Sequence, residues 1–295
     1  MKKKKNFNIL ITAIIILICV ILVYPVVNMI MLAFMPYKEI TQVPLPLFPS
    51  RFTLDNFKLI PDTFGYFTWN GHEISLILRY LKNTLVILVL SASGTILSCT
   101  LCAYGFSKIK FVGRSFAFGL VLATLMIPGC VTMISLYVQY TNLGWVDTLL
   151  PVWVPTWFGG GAMHIFLVRQ YMRGIPDTLT DAARIDGAGY FRIYWNIILP
   201  ISKPMCTYLL IGQIGGVWGD YWTPFLYVND RAKWPLATSL ISMAQQATDY
   251  SGQASLGNIG VQMAMGLLLC TVPLMTYILG QKNFIENVRL GGIKG

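Results

Sequence analysis

Residues 175–204 read IPDTLTDAARIDGAGYFRIYWNIILPISKP, a polar island between two long apolar runs, and the organisation of the chain turns on it. Pro176 suits a first helical turn, and Thr178 followed three residues later by Asp181 is a weak form of the Ser/Thr-x-x-Glu capping box, so a short helix is expected to begin here. Gly187 is placed to end it. Leu179, Ala183 and Gly187 recur at spacings of four, which puts one apolar anchor and two small residues on one stripe, open to the close approach of another backbone. Such a stripe is suited to being gripped.

Composition restricts the class. Of 295 residues, 55% are hydrophobic and only 12% charged, whereas soluble domains carry about 25% charged residues. This is the composition of a membrane protein. The net charge of +10 does not point to nucleic acid, because the basic residues are dispersed among loops instead of forming one dense patch. Cys19, Cys99, Cys102, Cys130, Cys206 and Cys270 all lie in apolar stretches, where thiols act as small hydrophobes. Cys99 and Cys102 have C-x-x-C spacing, but no second pair or neighbouring His completes a metal set, so no metal site is expected.

The run 9–35 carries no charge, which is longer than the roughly 7–15 apolar residues of a cleavable signal core. It reads as an uncleaved first span with a candidate kink at Pro25. Stretches 81–107, 115–140, 149–171, 199–227 and 259–279 are each mostly apolar, with the length of about 20 residues or more that a helix needs to cross roughly 30 Å of hydrocarbon. The expected fold is an all-α membrane protein with six transmembrane helices. Residues 1–8 form a basic tail, 9–35 the first helix, 36–79 an extracytoplasmic lobe, 80–280 a five-helix core containing the 175–204 loop, and 281–295 a second tail.

Orientation follows from the basic residues. With Lys2, Lys3, Lys4 and Lys5 in the cytoplasm, the same side receives Lys108, Lys110, Arg114, Arg169, Arg173, Arg184, Arg192, Lys203, Lys282, Arg289 and Lys294. The opposite side receives Lys38, Arg51, Lys58, Arg79, Lys82, Arg231 and Lys233. This is the asymmetry of the positive-inside rule, and it places both termini and the 175–204 loop in the cytoplasm.

Asp181-Ala182-Ala183, Asp186-Gly187-Ala188, the IILP run at 197–200 and Pro204 resemble the EAA loop of the membrane permeases of ATP-driven (ABC) importers, which normally reads Glu-Ala-Ala, Asp-Gly-Ala, Leu-Pro. Asp181 replaces the Glu and shortens the carboxylate's reach by one methylene. The TLDNFKLI segment at 53–60, Asn83-Thr84, Ala103-Tyr104-Gly105, Ile127-Pro128-Gly129 and the tail Gly291-Gly292-Ile293-Lys294-Gly295 are similar to the carbohydrate-uptake branch of that superfamily, the maltose-permease-like and LplC-like inner-membrane subunits of binding-protein-dependent importers. The resemblance implies a type I (MetI-like) permease fold in a bacterial cytoplasmic membrane. It makes the loop a coupling helix seated in a cytoplasmic ATP-binding subunit, with Leu179, Asp181, Ala182, Ala183, Asp186, Gly187 and Ala188 at the contact. It also implies the partners: a homologous second permease forming a heterodimer, two ATP-binding subunits that hold ATP and Mg, an extracytoplasmic sugar-binding (lipo)protein, and a sugar or oligosaccharide cargo. No cofactor is implied in this chain, and the tail is expected to reach toward the ATP-binding dimer.

Nothing in the sequence hydrolyses ATP: Gly159-Gly160-Gly161 is followed by Ala162 and Met163, with no Lys to meet a phosphate. The triplet reads as close helix packing or a break in a membrane helix. Asp220 is the clearest ionisable group inside a span, and such groups are costly unless they face a cavity or partner. Trp218, Tyr221 and Trp222 beside it are suited to stacking on sugar faces, while Asp220 and Gln213 are suited to hydrogen-bonding hydroxyls; an aromatic belt at the outer interface is the equal alternative. In the related sugar permeases the corresponding helix lines the path. Trp153, Trp157 and Phe158 make the same argument more weakly, and His164 reads as a packed histidine. Three rivals are set against this reading. An ABC permease for a non-sugar solute is one alternative, an ion-coupled secondary transporter has only Asp220 in its favour, and a membrane enzyme lacks a catalytic cluster.

Overall fold

A computed structural model of the chain describes residues 2–69, 72–249 and 259–292. The end of the terminal Gly-x-x-Lys-Gly motif, from residue 293 on, lies outside them. The described chain is helical apart from one antiparallel hairpin, β1 (Tyr66–Trp69) and β2 (His72–Ser75), paired in the register Tyr66 to Ser75.

Two compact units divide the chain, one of residues 1–77 and 240–271, the other of residues 78–239 and 272–295. The first holds α1 (Lys2–Ala33), α2 (Tyr37–Ile40), α3 (Asp55–Phe64) and the hairpin. Pro25 lies inside α1 without ending it, and the helix stops at Ala33, ahead of the next charge after its basic start, at Lys38. The turn after α1 is tied by Asn56, whose buried side-chain amide donates to the carbonyls of Ala33 at 3.0 Å and Met35 at 2.9 Å. The Ala33 carbonyl ends the helix and has no partner within it, and the Met35 carbonyl lies just past that end, so Asn56 supplies a donor to both.

The second unit contains α4 (Leu76–Lys108) from Leu78 onward, α5 (Arg114–Ala123), α6 (Gly129–Asn142), α7 (Leu150–Trp153), α8 (Ala162–Arg173), α9 (Asp177–Ile185), α10 (Tyr190–Ile193), α11 (Leu199–Ile201), α12 (Lys203–Trp218) and α13 (Trp222–Tyr227). Two further helices, α14 (Leu236–Asp249) and α15 (Ile259–Gly292), continue from one unit into the other.

By length and composition, Ile11–Ala33, Leu76–Lys108 and Ile259–Gly280 each suffice to cross a bilayer as unbroken helices. Two of the other expected spans are bent pairs. Arg114–Met126 and Gly129–Asn142 meet at 100°, where Pro128 forces Ile127 into extended backbone. Tyr190–Ile201 and Lys203–Trp218 meet at 73°, around Ser202 between Pro200 and Pro204. The stretch 199–227 is therefore not one helix: it bends at Ser202 and is interrupted at residues 219–221 before α13.

The fourth expected span, 149–171, is also not a continuous helix. After α7 the chain tightens into a 3₁₀ turn over Val154–Trp157, with Pro151 and Pro155 removing backbone donors, and then passes Gly159, Gly160 and Gly161, all at positive φ, before α8 begins. The break is packed against α4. A Cβ on Gly94 would sit 2.4 Å from the Trp157 ring, and one on Gly160 would sit 2.7 Å from a Thr95 methyl, so both positions require glycine for the backbones to approach. Trp157 Nε1 donates to the Leu90 carbonyl at 3.1 Å, and Ser98 Oγ to that of Thr156 at 3.0 Å.

One buried cluster holds the second unit together: Cys99, Ala103 and Tyr104 from α4, Val168 and Met172 from α8, Ala183 from α9, Tyr194 and Ile198 beyond α10, and Leu209 from α12. Two hydroxyls lock it. Tyr194 exchanges a 2.8 Å hydrogen bond with Thr100, and Tyr104 donates to the Tyr190 carbonyl at 3.0 Å. The polar island of the sequence is thus seated on the core of its unit.

Candidate functional site

The island forms α9 and the aromatic turn that follows. The helix starts at Asp177, with Pro176 extended in front of it and offering no capping group. The expected Thr178/Asp181 capping box does not form, because the start lies ahead of Thr178 and leaves that residue inside the helix. The start is held instead from a distance: Lys108 Nζ, its side chain 3% exposed, lies 2.6 Å from the Asp177 carboxylate and also donates to the Ile175 carbonyl. That ammonium holds the Asp177 carboxyl below the usual carboxylate range, and the negative carboxylate in the first turn suits the positive end of the helix dipole.

The far end closes as the glycine requires. Gly187 sits at φ +80°, its N–H bonds the Arg184 carbonyl at 3.0 Å, and Ala188 N–H bonds the Ala183 carbonyl at 2.9 Å. These two bonds are the Schellman arrangement, which needs a left-handed residue at the first position past the cap.

The structure splits the expected stripe. Leu179 is exposed and the space a Cβ of Gly187 would occupy is open, but Ala183 is buried in the core cluster and does not present its side chain outward. Asp181 and Ala182 are exposed, Asp186 caps the helix and is exposed, and Ala188 packs partly against the core. Asp181 pairs with Arg184 at 3.4 Å, a solvent-exposed contact worth at most about 1 kcal/mol. The surface carries more than the stripe: Ile185 is 87% exposed, and Tyr190, Phe191 and Trp195 follow in the open, with Phe191 stacked on Trp195 at 6.2 Å. Sequence reasoning passed over these four, although four aromatic residues within positions 190–195 of a charged loop, Tyr194 included, are a detectable signal.

Residues 194–198 wind as a π turn leading into the 73° bend. A wide turn of this kind is often found where a helix serves a function. It joins the exposed surface to α12 through Tyr194 and Ile198, both fully buried.

The second candidate constellation lies at the corner between α12 and α13. Gln213 is half-buried more than a turn back on α12, Trp218 is buried at the helix end, Asp220 and Tyr221 are half-buried in the break, and Trp222 is 55% exposed. Asp220 does not hold out a free carboxylate. It accepts from Thr223 N–H at 3.0 Å, in the first turn of α13, while Thr238 donates to the carbonyls of Asp220 and Tyr221 at 3.3 Å each. Tyr221 stacks on Phe225 at 5.1 Å, so its ring is also engaged. Trp222 tilts against the same Phe225 ring at 6.3 Å yet stays exposed, and the buried Trp218 indole N–H has no hydrogen-bond partner among the described residues.

A third feature was not foreseen. Asp147, at φ +63°, accepts from the N–H groups of Asn229 and Asp230 at 3.0 and 2.8 Å and from Lys233 Nζ at 2.9 Å. Lys233 holds this carboxyl below its usual range and is itself pushed upward. The three bonds pin the loop after α6 to the loop after α13. His164 Nδ1 lies 2.6 Å from the Gly160 carbonyl, within the glycine break. Among the described residues, no three His, Cys, Asp or Glu side chains gather as a metal site.

Residues 94–284 match the family described as "Binding-protein-dependent transport system inner membrane component". The polygalacturonan/rhamnogalacturonan transport system permease protein YtcP of Bacillus subtilis is 27% identical over 99% of this chain and 100% of its own length. The arabinooligosaccharides transport system permease protein AraQ of Halalkalibacterium halodurans is 32% identical over 94% of this chain and 93% of its own length. The crystal structure of a bacterial ABC transporter involved in the import of the acidic polysaccharide alginate contains a chain of the same fold, with a TM-score of 0.75 at 20% identity, covering 96% of this chain and 98% of that one. Family, length and fold agree: the chain belongs to the inner-membrane components of binding-protein-dependent transport systems, and is a multi-pass, non-catalytic permease subunit of an ABC importer.

Proposed function

We propose that this permease imports a sugar or oligosaccharide, forms half of the translocation path with a homologous second permease, and is driven through α9 by two ATP-binding subunits that carry ATP and Mg. The observation that carries the coupling role is the state of α9. Both its ends are fastened inside the chain, at Lys108 and at Gly187, while Leu179, Ile185, Tyr190, Phe191 and Trp195 stay exposed. A helix held this rigidly with an apolar outer surface transmits a push without deforming. Closure of the ATP-binding pair carries α9, and the buried Tyr194 and Ile198 pass the movement to α12, so that the bundle rocks from inward-open to outward-open.

Support for the cargo comes from the relatives: YtcP, AraQ and the galactooligosaccharides permease GanQ of Bacillus subtilis are named for polygalacturonan/rhamnogalacturonan, arabinooligosaccharides and galactooligosaccharides. An extracytoplasmic sugar-binding protein delivers the cargo in this scheme, as in the alginate ABC transporter solved with a pentasaccharide-bound periplasmic protein. Coupling residues are Leu179, Asp181, Ala182, Asp186, Gly187 and Ala188, with Ala183 supporting them from beneath. Trp222 faces the cargo, with Gln213, Trp218, Asp220 and Tyr221 shaping the corner. Both termini and α9 lie in the cytoplasm, and residues 36–79 lie outside.

The test is flux of labelled oligosaccharide into proteoliposomes holding the assembled complex. Uptake that requires ATP and the binding protein supports the reading, and uptake driven by an ion gradient without ATP overturns it.

A further inference from the structure

The loop joining α4 to α5 presents a feature that coupling and transport leave unused. Lys110, Phe111, Gly113, Arg114, Ser115 and Phe116 line a cleft of about 450 Å³. Neither Lys110 nor Arg114 has a carboxylate within 4.0 Å among the described residues. Asp177 lies within electrostatic reach of Lys110, but its oxygen is held by Lys108 at 2.6 Å. The Arg114 guanidinium is oriented by a 3.2 Å bond to the Ile109 carbonyl, which leaves its other N–H groups to point elsewhere. Arg169 adds to the field: it is stacked 3.9 Å over the Phe118 ring and is close enough to feel both Arg114 and Arg173. Uncompensated cations gathered this way attract an anion.

The cleft is not rimmed by polar residues alone, as a site for a free anion would be: exposed apolar side chains stand beside Lys110, Arg114 and Ser115. Val112 is fully exposed, Phe116 is 72% exposed, and Phe111 is also exposed, resting partly against Phe106 at 6.2 Å between ring centres. These side chains sit where the long apolar helix α4 ends and α5 begins, which is where a membrane helix leaves the hydrocarbon. Cations beside exposed apolar rings at that depth match an amphiphile with a negative head: rings in the acyl boundary, charges at the headgroup.

We propose that residues 110–116 bind the phosphate headgroup of an anionic phospholipid, with Lys110 and Arg114 on the phosphate and Phe111, Val112 and Phe116 in the acyl boundary. The site does not depend on the identity of the transported solute.

The assembled complex, reconstituted in mixed phosphatidylglycerol and phosphatidylcholine and then purified in neutral detergent, is assayed for the lipid it retains. Wild type retains phosphatidylglycerol in excess over its share of the mixture. K110Q and R114Q each lower that excess roughly five-fold, K110R keeps it, and K58Q, at an exposed lysine elsewhere, leaves it unchanged. F116S lowers retention without altering charge, and thermal unfolding of each complex shows that it is intact. Equal retention by wild type and by the K110Q/R114Q double variant overturns the proposal. So does displacement of phosphatidylglycerol by inorganic phosphate alone, which makes this a free-anion site. Loss of the ATP-binding subunit from the double variant with lipid retention unchanged also overturns it, by assigning the cleft to a protein contact.

Discussion

Segment 175–195 and segment 213–227 are both interruptions between apolar helices, and both carry Asp, Gly and aromatic residues. Their side chains are spent differently. At α9 the internal bonds fasten the two ends and leave the outer surface bare, with Ile185 at 87% and Phe191 at 70% exposure. At the α12–α13 corner the polar groups are consumed internally: the Asp220 carboxylate bonds Thr223 N–H, two backbone carbonyls accept from Thr238, and Tyr221 stacks on Phe225. A charge within an apolar run is therefore not in itself a ligand for cargo. The first segment keeps an apolar outer surface open, as the proposed contact with an ATP-binding subunit requires, while the second is a brace from which Trp222 projects.

The largest effect expected is at Gly187. G187R places a long charged side chain in the space now open beside α9 and forces it onto a backbone at φ +80°. Capture of the ATP-binding subunit and sugar-stimulated ATP hydrolysis are expected to fall tenfold or more. G187N, which tolerates the left-handed conformation, keeps most of both and separates occupancy of the surface from backbone strain. Undiminished hydrolysis in G187R would erase the contrast between the two segments.

Next is Lys108. K108M removes the Asp177 and Ile175 bonds beneath the start of α9, and a hydrogen bond to a charged group contributes about 1.5–3 kcal/mol. Hydrogen exchange in residues 175–187 is expected to speed up while residues 213–227 are unaffected. Equal acceleration in both segments would show that the two are not independent.

How far the two segments could be read in advance differs for a physical reason. The end of α9 was legible because a left-handed turn demands glycine, and Gly187 stands where the helical stripe runs out. Its start was not, because the stabilising partner, Lys108, lies 69 positions away from Asp177 and leaves no local mark, whereas the Thr178/Asp181 spacing invites a box that never forms. The long spans follow from apolar length, but length is blind to breaks: 149–171 is mostly apolar yet is divided by Pro155 and Gly159–Gly161. Of the corner residues, the aromatic cluster could be read and the commitment of Asp220 to Thr223 could not, since a span reading puts both inside one helix. The hairpin at Tyr66–Ser75 gave too short an alternation to stand out from the Pro- and Phe-rich lobe around it.

A smaller effect sharpens the role of the corner. W222A is expected to lower sugar flux several-fold with assembly intact, because that ring is more than half exposed and its packing on Phe225 is a tilted contact at 6.3 Å. D220N, whose amide oxygen still accepts from Thr223, leaves flux near wild type, while D220A loses the bond at about 1 kcal/mol and lowers flux modestly. Abolition of flux by D220N would make the charge itself part of the path and move the corner into the class of α9.

The smallest effect is in pH. Lys108 lowers the folded pKa of Asp177 below its ordinary 3.8, so the pair's contribution is present above that value and is lost as pH falls through the lower, folded pKa. The Asp177 side chain is 77% exposed, so solvent screening keeps the contribution small. The difference in unfolding temperature between wild type and D177N is expected to stay constant above about pH 5 and to close below about pH 4. A difference that grows on acidification would contradict the ion pair.

The most direct test of the account asks which side of the membrane α9 faces. In a chain whose six cysteines are replaced by alanine, R184C is treated with a membrane-impermeant maleimide in intact cells and again after permeabilisation. The account predicts no labelling in intact cells, strong labelling once the membrane is opened, and protection when the ATP-binding subunits are bound. Labelling of R184C from outside intact cells would contradict it.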